Sequence, residues 1–179
     1  NEKNTIIDTR ISYPNSNFGK QLKTTANLIN SNINTQIFYT SLDGFDTHVN
    51  QEKRQGGLLK TYAECLEVFV NDLKQNGTFK DTLILTFSEF GRRVSQNAAK
   101  GTDHGAANNV FVVGDQLKKQ GFYNDLATLE DLDDNGDIIE KSVQCNNCGT
   151  LHKVVDFCRT EILVGKDDYH VGLSISDMS

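Results

Sequence analysis

Apolar side chains recur along this 179-residue chain in two rhythms, and each predicts a different kind of element. From about Asn17, the positions Phe18, Leu22, Ala26 and Ile29 repeat at the spacing of one helical face. Tyr13-Pro14-Asn15-Ser16 reads as a turn before that helix, Asn15, Ser16 and Asn17 offer N-caps, and Asn30-Ser31-Asn32 ends it. Leu58, Leu59, Tyr62, Leu66, Phe69, Val70 and Leu73 mark one face of a longer amphipathic helix, with Gly77 as its stop signal. Thr35 to Leu42 is a β-rich run. Thr82 to Phe87 and Asn109 to Val113 are short continuous apolar runs, the pattern of strands buried on both faces. Strand, long helix, strand predicts a βαβ unit, with a parallel sheet and a right-handed crossover. After Gly121 the chain turns polar, Glu130 to Asp137 reads as an acidic loop, and residues 140–179 form a tail with little pattern.

Composition then removes several function classes. Hydrophobic content of 37% and charged content of 23% suit a globular domain, and the length fits a single domain over residues 1–179. The net charge of −6, with no Lys/Arg cluster longer than a pair, gives no electrostatic footprint for nucleic acid. No apolar stretch is long enough to span a bilayer. The chain opens Asn1-Glu2-Lys3 and its single methionine is Met178, so it is expected to be a fragment or processed product, with any signal peptide upstream. Cys65 lies inside the helical pattern and is expected to be a small buried apolar residue.

Candidate chemistry gathers in three clusters: Gly44-Phe45-Asp46-Thr47-His48, Ser88-Glu89-Phe90-Gly91-Arg92 and Gly101-Thr102-Asp103-His104-Gly105. The first two follow β-rich runs and the third precedes one, so they fall where strands meet loops. Carboxylate with imidazole is the ligand set of a hydrolytic divalent-metal centre. Asp46 and His48 stand two residues apart, so on an extended segment both point the same way and can reach one ion. Gly101 and Gly105 flank Asp103-His104 and allow a close approach there. Glu89 adds a carboxylate near the same sheet edge, and Arg92 can hold a phosphate or sulfate oxyanion or pair with Glu89.

In order and spacing these motifs resemble a mostly bacterial, sulfatase-like family, the domain-of-unknown-function 1501 family, placed within the alkaline phosphatase superfamily. The resemblance covers about residues 17 to 130. It implies a three-layer α/β/α fold with a mainly parallel sheet, of which this chain is the C-terminal portion. It implies export to the periplasm or beyond, commonly by a twin-arginine signal. Asp46, His48 and His104 are implied as one metal's ligands, with Glu89 and Asp103 at a second position. Superfamily members often carry an Asp-His pair where this chain reads Glu89-Phe90, and they place a Ser/Thr nucleophile on an N-terminal strand expected upstream of this chain. The cofactor implied is a divalent metal, zinc first, with manganese, magnesium or calcium as alternatives. The implied activity is metal-dependent hydrolysis of a small phosphate or sulfate ester, with Arg92 on the oxyanion. The alternative is a non-catalytic cell-envelope binding or assembly protein that retains the superfamily core.

Two later motifs carry weaker signals. Asp131-x-Asp133-x-Asn135-Gly136-Asp137 follows the start of a calcium loop, but Ser142 stands where a bidentate Glu is required, which favours an acidic surface turn. Cys145, Cys148, His152 and Cys158 approximate a zinc-knuckle spacing, with a disulfide as the competing reading.

Overall fold

The computed structural model describes residues 8, 10–122 and 128–139, together with the backbone of 142–144, 151–153 and 169–175. Helix α1 spans Asn17–Asn30 and is capped by Ser16, whose Oγ accepts the Gly19 N–H at 3.0 Å. Phe18, Leu22, Ala26 and Ile29 form its buried stripe. Strand β1 (Ile37–Ser41) leads through a loop into helix α2 (Gln51–Gln75). The α2 stripe is narrower than its periodicity suggests: Cys65, Phe69 and Leu73 are fully buried, while Leu59 faces solvent. Gly77, at φ 74°, ends the helix in a conformation that favours glycine. A 3-10 turn at Phe79–Asp81 then delivers the chain to strand β2 (Thr82–Ser88).

Past β2 the chain makes a polar hairpin, β3 (Gly91–Gln96) and β4 (Thr102–Gly105), and returns as β5 (Phe111–Gly114). Strands β6 (Ser142–Gln144) and β7 (Leu151–Lys153) form a second antiparallel pair, and β8 spans Tyr169–Ile175. The main sheet has the order β1-β8-β2-β5: β8 lies parallel between β1 and β2, and β5 is antiparallel on the β2 edge. The two strands of the expected βαβ unit therefore do not pair with each other.

The expected three-layer α/β/α, mainly parallel sulfatase-like architecture is overturned. The described residues form two α-helices, a mixed four-stranded sheet and two separate two-stranded antiparallel sheets. The helices pack together through the Phe18–Tyr62 ring contact, and they cover the sheet face that carries Phe38 and Ile84. The Tyr62 and Thr86 hydroxyls meet at 2.8 Å on that face. On the opposite face Ile37 and Tyr39 are 72% and 65% exposed, and no helix covers them among the described residues. Burial along β2 accordingly alternates: Thr82, Ile84 and Thr86 are inside, while Leu83, Leu85 and Phe87 are half-buried. A continuous apolar run does not by itself place both faces in the interior.

Asp72 is fully buried between the helices and holds their ends in place. It accepts from the Tyr13 hydroxyl at 2.8 Å, Asn30 Nδ2 at 3.2 Å and Asn76 Nδ2 at 2.9 Å. Burial and this carboxylate push the Tyr13 phenol far above its ordinary range. Cys65, buried and free, lies against Ser16 Oγ at 3.6 Å, as expected of a small apolar residue.

The core makes a direct prediction. Phe69→Ala is expected to lower unfolding free energy by about 3–5 kcal/mol, while exposed Leu59→Ala changes it by less than about 0.5 kcal/mol. Chemical denaturation of the two variants measures the contrast.

Candidate metal centre

Strands β1 and β2 both run parallel to β8, so their carboxyl ends open on one edge of the sheet. Loop 42–50, which follows β1, carries Asp46 and His48 to that edge, and Glu89 and Phe90 follow β2 there. The β3–β4 hairpin folds across the same edge. Its tip caps α2, which has no side-chain cap: the Asn50 and Gln51 N–H groups donate to the carbonyls of Ala99 and Lys100 at 3.0 and 2.9 Å. Asn50 takes a left-handed conformation, φ 47°, to make that turn.

Close backbone approach seals the junction. A Cβ on Gly101 would collide with the His48 carbonyl group and the Thr47 carbonyl oxygen. One on Gly105 would strike Asp137 Oδ1 and the Arg92–Arg93 peptide. Both glycines that flank Asp103-His104 are thus required for space.

What converges at this edge is a carboxylate and two imidazoles. Asp46 Oδ1 lies 2.7 Å from His48 Nε2 and 3.0 Å from His104 Nε2. Ligand atoms of Asp46, His48 and His104 all lie within 4.8 Å of one another. The three side chains are between 38% and 49% exposed, so the cluster is open to solvent on one side. Phe90 stacks on the His104 ring at 3.8 Å and 14°, and the two imidazole rings lie 4.8 Å apart. The hydrogen bond from His104, with the positive charge of His48 and Arg92, holds the Asp46 carboxyl below the usual carboxylate range.

Arg92 braces the cluster. Its two terminal nitrogens donate to the carbonyls of Thr102 and Phe45, each at 2.6 Å, and one also reaches Asp46 Oδ1 at 3.3 Å. The guanidinium expected to hold an oxyanion is therefore bonded to three protein oxygens, and its side chain is only 18% exposed. Asp103 lies behind His48: its Oδ1 is 3.2 Å from His48 Nδ1 and 3.2 Å from Asn97 Nδ2. Those two contacts, Asn97 first, hold its carboxyl below the usual carboxylate range. Glu89 is exposed and lies outside the three-residue grouping.

Asn97 and Phe90 support the cluster; the sequence motifs pointed to Phe90 only as the neighbour of Glu89, and not to Asn97 at all. Asn97 Nδ2 donates to the His48 carbonyl at 3.0 Å, and its Oδ1 accepts from the Ala99 and Gly101 N–H groups. The only cue was an Asn four residues before a Gly in a polar turn. Phe90 directly follows Glu89 after β2, and its ring packs on that of His104.

The later motifs resolve differently. Around the calcium-like segment, Asp133 Oδ1 accepts from the Asn135 and Asp137 N–H groups at 2.9 Å each, and Leu132 bridges Ile138. It is a self-satisfied turn whose Asp137 reaches back to the Ala106 N–H at 3.3 Å. Cys145, Cys148 and Cys158 lie outside the described residues, as does the His152 side chain.

The family model described as "Protein of unknown function (DUF1501)" matches residues 8–131. The chain belongs to that family. The matched span takes in both helices, β1 to β5 and every residue of the DUF1501 candidate site. No curated protein and no solved structure matches the chain.

Two predictions follow from the geometry. The side-chain carbons of Asp46 and Asp103 should titrate below the ordinary midpoint of about 3.9 in a carboxyl-detected NMR titration. Because both values are depressed on folding, their contribution to stability is full above that midpoint and is lost as pH falls through the lower folded values. Gly101→Ala is expected to cost about 1–3 kcal/mol in thermal or chemical denaturation, and to broaden or shift the His48 and His104 ring resonances.

Proposed function

We propose that this DUF1501 chain carries the metal-binding part of an exported hydrolase of phosphate or sulfate esters, within the alkaline phosphatase superfamily. The observation that supports this reading is the convergence of Asp46, His48 and His104 at the carboxyl edge of the parallel strands. Two imidazole nitrogens and a carboxylate oxygen form a mixed N/O donor set that suits zinc, with manganese, magnesium and calcium as weaker fits. Three protein donors with one solvent-open side correspond to a catalytic rather than a closed structural site.

When bound, a divalent ion supplies Lewis-acid chemistry, acidifying water and neutralising charge on a transferring phosphoryl or sulfuryl group. The chain's own residues set the rest. Asp46 contributes the anionic donor and keeps the two imidazoles together. Arg92 holds Phe45 and Thr102, and so fixes the loop against the hairpin. Phe90 fixes the plane of the His104 ring. With Asp103 engaged by His48 and Asn97, and Glu89 outside the grouping, the arrangement supports one ion in place of the two implied by resemblance.

Zinc titration against a chromophoric chelator is expected to give one site among these residues, weakened on the order of 100-fold or more in His104→Ala. Aryl phosphate or aryl sulfate turnover by the full-length protein should require that ion and stop on chelation. Ion binding without turnover of either ester would favour the non-catalytic cell-envelope reading, and wild-type affinity in His104→Ala would overturn the site itself.

A further inference from the structure

The two imidazoles are held in different ways, and the difference assigns a role to a residue outside the ligand set. His104 is fixed by ring stacking on Phe90, with its Nε2 towards Asp46. His48 is fixed along its edge: Nε2 faces Asp46 Oδ1 at 2.7 Å while Nδ1 faces Asp103 Oδ1 at 3.2 Å. An imidazole that coordinates through one nitrogen must keep its proton on the other, and the partner of that second nitrogen decides the tautomer and the ring orientation.

Asp103 is itself held. Asn97 Nδ2 donates both to Asp103 Oδ1 at 3.2 Å and to the His48 backbone carbonyl at 3.0 Å, joining the hairpin to loop 42–50. The Asn97 amide is locked in turn, because its oxygen accepts the Ala99 and Gly101 N–H groups at 3.0 Å each. The chain of contacts runs from the hairpin turn through Asn97 and Asp103 to the edge of the His48 ring. Two of these contacts, Asn97 Nδ2 to the His48 carbonyl and Asp103 Oδ1 to His48 Nδ1, span the junction between hairpin and loop, so the orientation of His48 is set by hairpin docking and not by its own loop alone.

We propose that Asp103, held by Asn97, is a positioning residue that keeps the His48 proton on Nδ1 and presents Nε2 to a divalent ion. The role rests on the metal reading given above, and it takes Asp103 out of the second ligand position that the resemblance implied. Asp103 is 54% exposed on its side chain, so its replacement leaves the core untouched.

The test uses the intact chain and zinc alone. Asp103→Ala is expected to weaken zinc binding about 10- to 100-fold, with Asp103→Asn falling between it and the wild type because the amide oxygen can still accept the Nδ1 proton. Ring-nitrogen NMR of the zinc-loaded proteins supplies the readout that a merely structural role would not move. The wild type should show His48 protonated at Nδ1 and coordinated through Nε2, and Asp103→Ala should show a mixture of ring nitrogens on the metal. Wild-type zinc affinity in Asp103→Ala, or weaker binding with an unchanged His48 signature, overturns the positioning role while the metal centre stands. A wild-type chain that takes up no zinc through these residues overturns both.

Discussion

The candidate centre depends on the docking of one polar hairpin against one loop. Neither half of the site is complete alone: Asp46 and His48 come from the loop after β1, and His104 from β4. Little apolar surface is available to drive their meeting, since β3 and β4 are Gly-Arg-Arg-Val-Ser-Gln and Thr-Asp-His-Gly. Backbone hydrogen bonds to the start of α2, the Asn97 amide, the Arg92 guanidinium and the flush contact at Gly101 hold them together. Each directional bond contributes only about 1 kcal/mol net, so position comes from their number and their mutual geometry.

Electrostatics adds a second constraint to the first. Asp46 Oδ1 receives two imidazole nitrogens and a guanidinium nitrogen within 3.3 Å. Three nitrogens at one carboxylate oxygen are crowded for a surface loop, and on the proposed reading a cation would take that place between the rings. Asp103 and Asn97 extend the network outward, and the turn at Asp133–Asp137 closes over Gly105 on the other side of β4. A polar site assembled this way is sensitive to its supports, because a half-satisfied network loses the cooperative strength of the whole.

The sequence made some of this legible. The α1 stripe of Phe18, Leu22, Ala26 and Ile29 was plain because every fourth or third position is apolar and all four are buried. The start of α1 fell among the three offered caps, Asn15, Ser16 and Asn17, of which Ser16 is the one used, and Gly77 marked the end of α2 for local steric reasons. The layer architecture was not legible: the apolar run Thr82–Phe87 looks the same whether one face or two are covered, and the insertion of β8 between β1 and β2 is a long-range pairing. The β3–β4 hairpin was missed because Arg92, Arg93, Ser95 and Gln96 interrupt any alternation. For the site, the family resemblance implied Asp46, His48 and His104 as one group, and their ligand atoms lie within 4.8 Å of one another; residue type and spacing put each near a strand end and go no further. They could not say that Asp103 faces His48 Nδ1, that Arg92 is bonded to carbonyls, or that Glu89 falls outside the grouping, because direction at a strand end depends on docking.

X-ray absorption at the zinc edge, on the full-length protein loaded with one equivalent of metal, tests the central claim most directly. A first shell of nitrogen and oxygen at about 2.0–2.1 Å, with two imidazole scattering patterns that drop to one in His48→Ala, is the expected result. A shell containing sulfur at about 2.3 Å would place the metal on the cysteines beyond the described residues, and an all-oxygen shell would leave both imidazoles uncoordinated. Either outcome contradicts a metal centre built from Asp46, His48 and His104.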